Sequence, residues 1–291
     1  MTRLFNAREV NGQFDLILTN PPFSVELDND TKKTIKHDFM FGEKKNSENL
    51  FIERWYQLLR ENGRVAAVLP ESVFDTTENK YIRLFLYKYF KIKAVVSLPQ
   101  LAFEPYTSTK TSILFAQKKT KEEIAAWNEA WDTASKDYSQ LRTRVDNLIS
   151  VYDGKKLKAK LPSIKKLTPD EEVALLRKML KHYISDADDC LDTNGLISKY
   201  REELELLCKP DKDTKETFGY VNTWWVFSEV AATLDYSIFM AETEAIGYKR
   251  TKRGERPMQN ELYRTNMAEE ILIDDGNETT ILDAMRKIVW D

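Results

Sequence analysis

The stretch FDLILTNPPFS, residues 14–24, decides the fold because a short apolar run meets a rigid ending. The run stops at Asn20, Pro21, Pro22 and Phe23. Proline fixes φ and has no backbone N–H, so the strand cannot continue through this pair. We predict a strand over residues 14–20, with an amide, two prolines and an aromatic ring placed at its end.

Alternating strands and helices continue outward from this stretch to residue 118. The nearly continuous apolar run 64–70 is typical of a parallel strand that is buried on both faces. Only the short loop FEPYTST separates the last two strands, too short for a parallel crossover, so the last strand is predicted to be antiparallel. The expected fold is an open, mostly parallel α/β sheet. Its other predicted elements are helices at 49–62 and 78–90 and strands at 92–99 and 111–118.

The hydrophobic period changes after Lys118, and the remaining chain is predicted to be mainly helical. Thr168 and Glu171 form a capping-box pattern with Pro169 at the first helical position. The predicted helices are 121–151, 169–185, 196–208 and an amphipathic helix at 279–290, with an arginine- and lysine-rich loop at 248–266. We expect three regions, with boundaries 1–119, 120–210 and 211–291.

Composition limits the classes of function. The net charge is −3, so a nucleic-acid contact must come from a local basic patch. Two cysteines and two histidines at unrelated spacings predict neither a disulfide nor a metal site. No apolar run approaches the length of a membrane span, and MTRLFNAREV lacks the apolar core of a signal peptide. A cytoplasmic protein is therefore expected.

The ending Asn20-Pro21-Pro22-Phe23 suits the binding of a planar base that carries an exocyclic amine. Open α/β sheets bind ligands at the carboxyl ends of their strands. The Asn20 side-chain carbonyl and the Pro21 backbone carbonyl can each accept one amine proton. Phe23 can stack on the base, which contributes about 1–3 kcal/mol in single-strand binders. A structural interpretation stays open, in which the prolines only end the strand and Phe23 packs in the core.

The residues DLILTNPPF resemble motif IV of the amino methyltransferases that use S-adenosylmethionine, in the Phe form common among adenine-N6 DNA methyltransferases. The similarity extends to GRVAAVLPESVF (63–74), IKAVVSLPQLAF (92–103) and PYTSTKTSILFAQK (105–118). These segments, and DYSIFMAETEAIGYKRTKRG (235–254) more loosely, resemble the methylase (M) subunits of type I restriction–modification systems. The resemblance implies a partial Rossmann-like methyltransferase sheet followed by a mainly α-helical region.

The family likeness also implies a reaction and a set of partners. Asn20, Pro21, Pro22 and Phe23 would form the pocket for an adenine flipped out of the duplex, and Asn20 would also touch S-adenosylmethionine. The adenine N6 would attack the sulfonium methyl group directly, so catalysis would be mostly positioning. Double-stranded DNA, a specificity subunit and a possible restriction subunit are the implied partners.

The cofactor half of the family pattern is missing from the sequence. The family places a Gly-rich loop before motif IV, but only thirteen residues precede Phe14. None of the nine glycines lies two positions from another, so no G-x-G occurs downstream either. We expect a chain that holds the base-binding half, with an unpaired apolar edge at strand 14–20. A truncated M subunit, a split enzyme and a degenerate homologue all remain open, and a partial M subunit is favoured.

Several further residues are candidates with a simpler alternative. Basic residues near the C-terminus could contact phosphates or form a solvated loop. Lys32, Lys33, Lys36 and His37 could border the base site. Glu71 and Asp75 could line the site or begin a helix. The basic cluster comprises Lys249, Arg250, Lys252, Arg253 and Arg256. Alternative functions are an RNA or protein-glutamine amino methyltransferase and an inactive assembly or DNA-docking subunit.

Overall fold

The computed structural model describes most of the chain and divides it into two compact units. The described ranges are 10–23, 25–35, 38–41, 47–100, 102–234, 236–251, 254–273 and 278–290, without the side chains of Arg250 and Thr251. The first unit comprises Met1–Ile124 and Asp235–Asp291, and the second comprises Ala125–Leu234.

A five-stranded sheet forms the framework of the first unit. Its strands are β1 (Phe14–Thr19), β2 (Leu59–Pro70), β3 (Phe90–Ser97), β4 (Thr111–Lys118) and β5 (Phe239–Glu242), in the spatial order β1-β2-β4-β3-β5. The pairs β1–β2 and β3–β5 are parallel, whereas β4 runs antiparallel to both neighbours. The predicted mostly parallel α/β sheet with an antiparallel last strand is confirmed, and β5 is an addition that the sequence did not reveal.

Helices pack on one face of this sheet and bury alternate residues of β2 between Gly63 and Leu69. Val65, Ala67 and Leu69 are almost fully buried in one core cluster with residues of α2 (Ser47–Leu58) and α4 (Lys80–Tyr89). Successive residues of a strand point to opposite faces, so these three share one face. The first unit also contains α1 (Asn29–Ile35), α3 (Ser72–Asp75), a 3₁₀ turn at Thr77–Asn79 and, near its C-terminus, α11 (Ile281–Met285).

Strand β1 lies at an edge of the sheet and pairs only with β2 among the described strands. Ile17 packs against the core cluster. On the opposite face Leu16 and Leu18 are 53% and 71% exposed. In the part of the chain that the structure describes, the other edge of β1 is thus unpaired, as predicted, and its exposed face is apolar.

The second unit is helical. After α5 (Lys121–Tyr152), whose residues from Ala125 belong to it, come α6 (Pro169–Met179), α7 (Thr193–Lys199), α8 (Arg201–Leu207), α9 (Lys215–Phe218) and α10 (Thr223–Ala231), with 3₁₀ turns at Lys158–Lys160 and Asp186–Asp188. Thr168 caps α6 in the predicted capping box. The predicted helix 196–208 is instead two helices, because Tyr200 leaves the helical conformation (φ −111°, ψ 33°) and its hydroxyl donates to Asp188 at 2.7 Å.

The C-terminal part of the first unit differs most from the sequence expectation. The sequence predicts a loop at 248–266. Its first part instead belongs to an antiparallel hairpin, formed by β6 (Ile246–Thr251) and β7 (Gly254–Asn260). The predicted helix 279–290 is limited to α11, which Thr280 and Asp283 cap. The described residues after 210 thus form three strands as well as helices. The boundaries 119/120 and 210/211 stay predictions.

Among the helices of the described ranges, none combines the length and apolar character that crossing a bilayer requires.

Candidate functional site

The residues Asn20, Pro21, Pro22 and Phe23 follow β1 directly, at the carboxyl end of the sheet. Thr19 pairs with Ala67, so the four residues lie level with the end of β2. Asn20 is exposed, Pro21 is buried, and Phe23 is half-buried. Within the described part of the chain, the Asn20 side chain makes no hydrogen bond. Its carbonyl is therefore available to an outside donor.

Phe103 is the aromatic neighbour of Phe23. The two ring centroids are 5.7 Å apart and the rings are nearly perpendicular, at 81°. Edge-to-face pairs of this kind are favourable. Phe23 does not belong to the core cluster behind the sheet. Sequence reasoning missed Phe103 as a site residue, although the segment LPQLAF ends on it.

The loop between β3 and β4 holds Phe103 in place. The Ala102 N–H donates to the Pro99 carbonyl at 3.0 Å, and Gln100 Nε2 donates to the Ser108 carbonyl at 2.7 Å. The Tyr248 hydroxyl of β6 donates to the Ala102 carbonyl at 3.0 Å. The hairpin is therefore fastened to the loop that carries the second aromatic ring.

Glu71 follows β2 at the same edge of the sheet. Its Oε2 accepts a 2.7 Å hydrogen bond from the Ser112 hydroxyl of β4, and its N–H donates to the Lys110 carbonyl. Glu71 occupies the N-cap position of α3, but its carboxylate makes no capping bond there. Glu71 therefore ties the ends of β2 and β4 together. Asp75 is the last residue of α3.

The start of α2 anchors the chain that follows Phe23. The Ser47 N–H donates to the Val25 carbonyl at 3.0 Å. The Glu53 carboxylate accepts from the N–H groups of Met40 (2.6 Å) and Phe41 (3.0 Å). Burial raises the pKa of Glu53, and the two backbone hydrogen bonds oppose that shift. These bonds fasten residues 38–41 to the helix layer.

The basic candidates near the site have different outcomes. Lys32 and Lys33 lie in α1, where Lys33 pairs with Asp30 at 3.0 Å. Lys36 and His37 lie outside the described residues.

Three residues of the C-terminal basic cluster, Lys249, Arg250 and Arg256, lie in β6 and β7 of the hairpin. Lys249 and Arg256 are exposed and directly opposite each other. Arg250 is opposite Glu255 in the backbone register. Lys252 and Arg253 fall outside the described residues.

The candidate site offers two hydrogen-bond acceptors and an aromatic ring. Asn20, the Pro21 carbonyl and Phe23 have the chemistry predicted for binding a base. A nucleotide-type cofactor is commonly cradled by a Gly-rich turn at a helix N-terminus, and the sequence has no G-x-G. A Gly-rich cradle for S-adenosylmethionine is therefore not recognisable in this sequence.

Comparison with known proteins identifies the family. The family described as N-6 DNA Methylase matches residues 3–204. The methylase subunit of the type I restriction enzyme EcoEI from Escherichia coli is 30% identical over 132 residues, which is 45% of this chain and 26% of that protein. The chain belongs to the N-6 DNA methylase family. Its resemblance to type I methylase subunits is confirmed.

Two further similarities each cover only part of the other protein. The type II restriction enzyme and methyltransferase RM.Eco57I of Escherichia coli is 26% identical over 146 residues, 48% of this chain and 14% of that protein. A solved modification subunit of a putative type I restriction enzyme from Vibrio vulnificus is 28% identical, with a TM-score of 0.33, over 38% of this chain and 25% of that one. The chain thus spans about a quarter or less of the curated relatives it matches.

Proposed function

We propose that this chain forms the base-binding part of an adenine-N6 DNA methyltransferase, within the modification subunit of a type I restriction–modification system. The observation that carries the proposal is the exposed Asn20 amide at the carboxyl end of β1, beside Phe23 and Phe103. Family membership supports methyl transfer as the reaction class. Adenine as the base and DNA as the substrate rest on the Asn-Pro-Pro-Phe residues together with the family description.

The residues of the chain orient the amine. Asn20 Oδ1 and the Pro21 carbonyl each accept one N6 proton, which aims the nitrogen lone pair out of the ring conjugation. The two prolines restrict the backbone, so the acceptors are set before the base arrives. Phe23 stacks on the base while Phe103 supports it from the edge. The chain therefore contributes positioning, and no side chain acts as a covalent nucleophile.

S-adenosylmethionine is the proposed methyl donor, supplying an electrophilic methyl group to the oriented nitrogen. Asn20 is the residue of this chain proposed to border it. Because the chain has no Gly-rich turn, we propose that the donor is held mainly by residues outside this sequence.

The proposed partners follow from the relatives. A specificity subunit would supply the target sequence, and a restriction subunit is a possible third component of such a system. One solved relative comes from a study of the assembly of a type I restriction–modification system. The lack of a G-x-G pattern favours one other candidate, an inactive subunit that serves assembly or DNA docking. RNA and protein-glutamine substrates have no observation in their favour here.

The proposal is tested by the preference of the chain for a 6-amino group. Two fluorescein-labelled duplexes would carry adenine or unsubstituted purine opposite an abasic site, so that the base is already unpaired. Two hydrogen bonds to the amine are expected to favour the adenine duplex by roughly 10-fold in Kd. Asn20→Ala is expected to abolish this preference.

Asn194→Ala is the matched control, because Asn194 is an exposed asparagine of α7 in the second unit. It is expected to retain the preference. An adenine-to-purine ratio near one for the unsubstituted chain, or an unchanged ratio in Asn20→Ala, contradicts the base-pocket proposal. Calorimetry with S-adenosylmethionine checks the donor separately, and micromolar binding by this chain would contradict the divided site.

A further inference from the structure

We propose that the β6–β7 hairpin is a β-ribbon that binds the phosphate backbone of duplex DNA next to the base pocket, through the cross-strand pair Lys249 and Arg256. This inference deepens the proposed function and rests on it for the nature of the ligand.

The sequence of the hairpin is locally basic. Residues 246–260 contain five basic residues and one acidic residue, whereas the whole chain has a net charge of −3. The positive charge is thus concentrated on one short element. A polyanion is the ligand that such a concentration attracts, with a strong dependence on salt.

The register of the hairpin brings two positive charges together. Lys249 is directly opposite Arg256, so their side chains leave the same face of the hairpin. Like charges placed directly opposite each other destabilise a sheet. Among the described residues neither side chain has an acidic partner. A phosphate between them would remove the repulsion and satisfy both cations.

Strand β7 of the ribbon is accessible to a ligand. Residues 254–259 of β7 are all exposed. Gly254 lies two residues from Arg256 and therefore on the same face, and a Cβ built there would meet nothing within 4 Å. The backbone can thus approach a ligand closely. A two-stranded ribbon of this kind is narrow enough for the major groove, which is about 12 Å wide.

The ribbon is joined to the loop that carries Phe103 of the predicted base site. Tyr248, the neighbour of Lys249, points to the other face and donates its hydroxyl to the Ala102 carbonyl. The next residue, Phe103, contacts Phe23. Two contacts, the Tyr248–Ala102 hydrogen bond and the Phe103–Phe23 ring pair, therefore connect the basic pair to the predicted base site within one unit. A duplex that presents a base to Phe23 necessarily carries phosphates on both sides of it.

The test is duplex binding as a function of salt. The 291-residue chain and Lys249→Ala/Arg256→Ala would be titrated with a fluorescein-labelled 30-base-pair duplex between 50 and 200 mM NaCl. Two lost phosphate contacts are expected to make the slope of log K against log salt shallower by about 1.8 and to weaken binding by about 10-fold or more. The exchanged pair Lys249→Arg/Arg256→Lys keeps both charges and is expected to keep the slope.

Lys165→Ala/Lys166→Ala is the matched control, since it removes two exposed charges from the second unit. It is expected to bind as the unsubstituted chain does. An unchanged slope in Lys249→Ala/Arg256→Ala would assign the pair to another partner, such as an acidic protein surface, and overturn the inference. Failure of the unsubstituted chain to bind the duplex would overturn it as well.

The two proposals can fail separately. The adenine-to-purine ratio reports on Asn20, whereas the salt slope reports on the hairpin. A shallower salt slope in Lys249→Ala/Arg256→Ala, together with an unchanged adenine-to-purine ratio in Asn20→Ala, would support the ribbon and contradict the base pocket. An unchanged salt slope, together with a lost adenine preference in Asn20→Ala, would support the base pocket and contradict the ribbon.

Discussion

The contribution of one buried lysine, Lys119, to the stability of this protein is expected to rise between pH 7.5 and 9.5. Lys119 is 4% exposed, and its Nζ donates to the Tyr87 carbonyl at 2.8 Å. The nearby carboxylate of Glu123 pairs with Lys91 at 2.6 Å instead. Burial therefore lowers the pKa of Lys119 to about 8, although Glu123 opposes the shift.

The sign and size of the effect follow from proton linkage. Below pH 8 Lys119 is charged in the folded and the unfolded chain. As the pH rises from about 8 towards the ordinary value of 10.5, the folded state loses its proton first. The unfolded state then binds more protons, so the free energy of unfolding increases by up to about 1.4 kcal/mol per pH unit. Between pH 7.5 and 9.5 the gain is about 2 kcal/mol.

The assay compares urea denaturation of the unsubstituted chain and Lys119→Met across this range. Methionine keeps most of the length of the unbranched side chain and removes the charge. The difference in unfolding free energy between the two proteins is expected to change by about 2 kcal/mol from pH 7.5 to 9.5. Lys121→Met is the control, because the Lys121 side chain is 88% exposed. A Lys119→Met difference that stays constant with pH would refute the argument.

Two further predictions concern the aromatic residues of each unit. A double-mutant cycle of Phe23→Ala and Phe103→Ala is expected to give a coupling of about 0.5–1.5 kcal/mol in unfolding free energy, and additive effects would contradict the ring contact. Tyr138→Phe is expected to cost about 1–2 kcal/mol, because the fully buried Tyr138 hydroxyl donates to the Leu207 carbonyl at 2.8 Å. Tyr152→Phe, at an exposed position of the same helix, should cost less in the same denaturation assay, and an equal cost would contradict the reasoning.

Local sequence signals predicted most of the sheet and the capped helix α6. The nearly continuous apolar run 64–70 is typical of a buried strand. A short connection between β3 and β4 allows only an antiparallel pair. Thr168, Pro169 and Glu171 form a helix start from their own side chains and backbone. Each of these signals lies within a few residues of the feature it determines.

The candidate site was predictable only in part. The residues Asn20 to Phe23 are recognisable from their unusual order, and their role in binding a base stays a prediction. Phe103 is not recognisable in this way, because aromatic residues commonly follow strands. Only the folded chain places its ring centroid 5.7 Å from that of Phe23. Lys119 likewise follows a strand as any lysine does, and burial alone makes it distinctive.

By itself the sequence determined the strands β1 to β4, the antiparallel direction of β4 and the family to which the chain belongs. Only the tertiary structure decided that residues 239–242 pair with β3, that Tyr200 breaks a helix and that Lys249 is opposite Arg256. The physical reason is the same in each case. Chain conformation follows from neighbouring residues, whereas pairing across 140 residues, burial and cross-strand register exist only after the chain has folded.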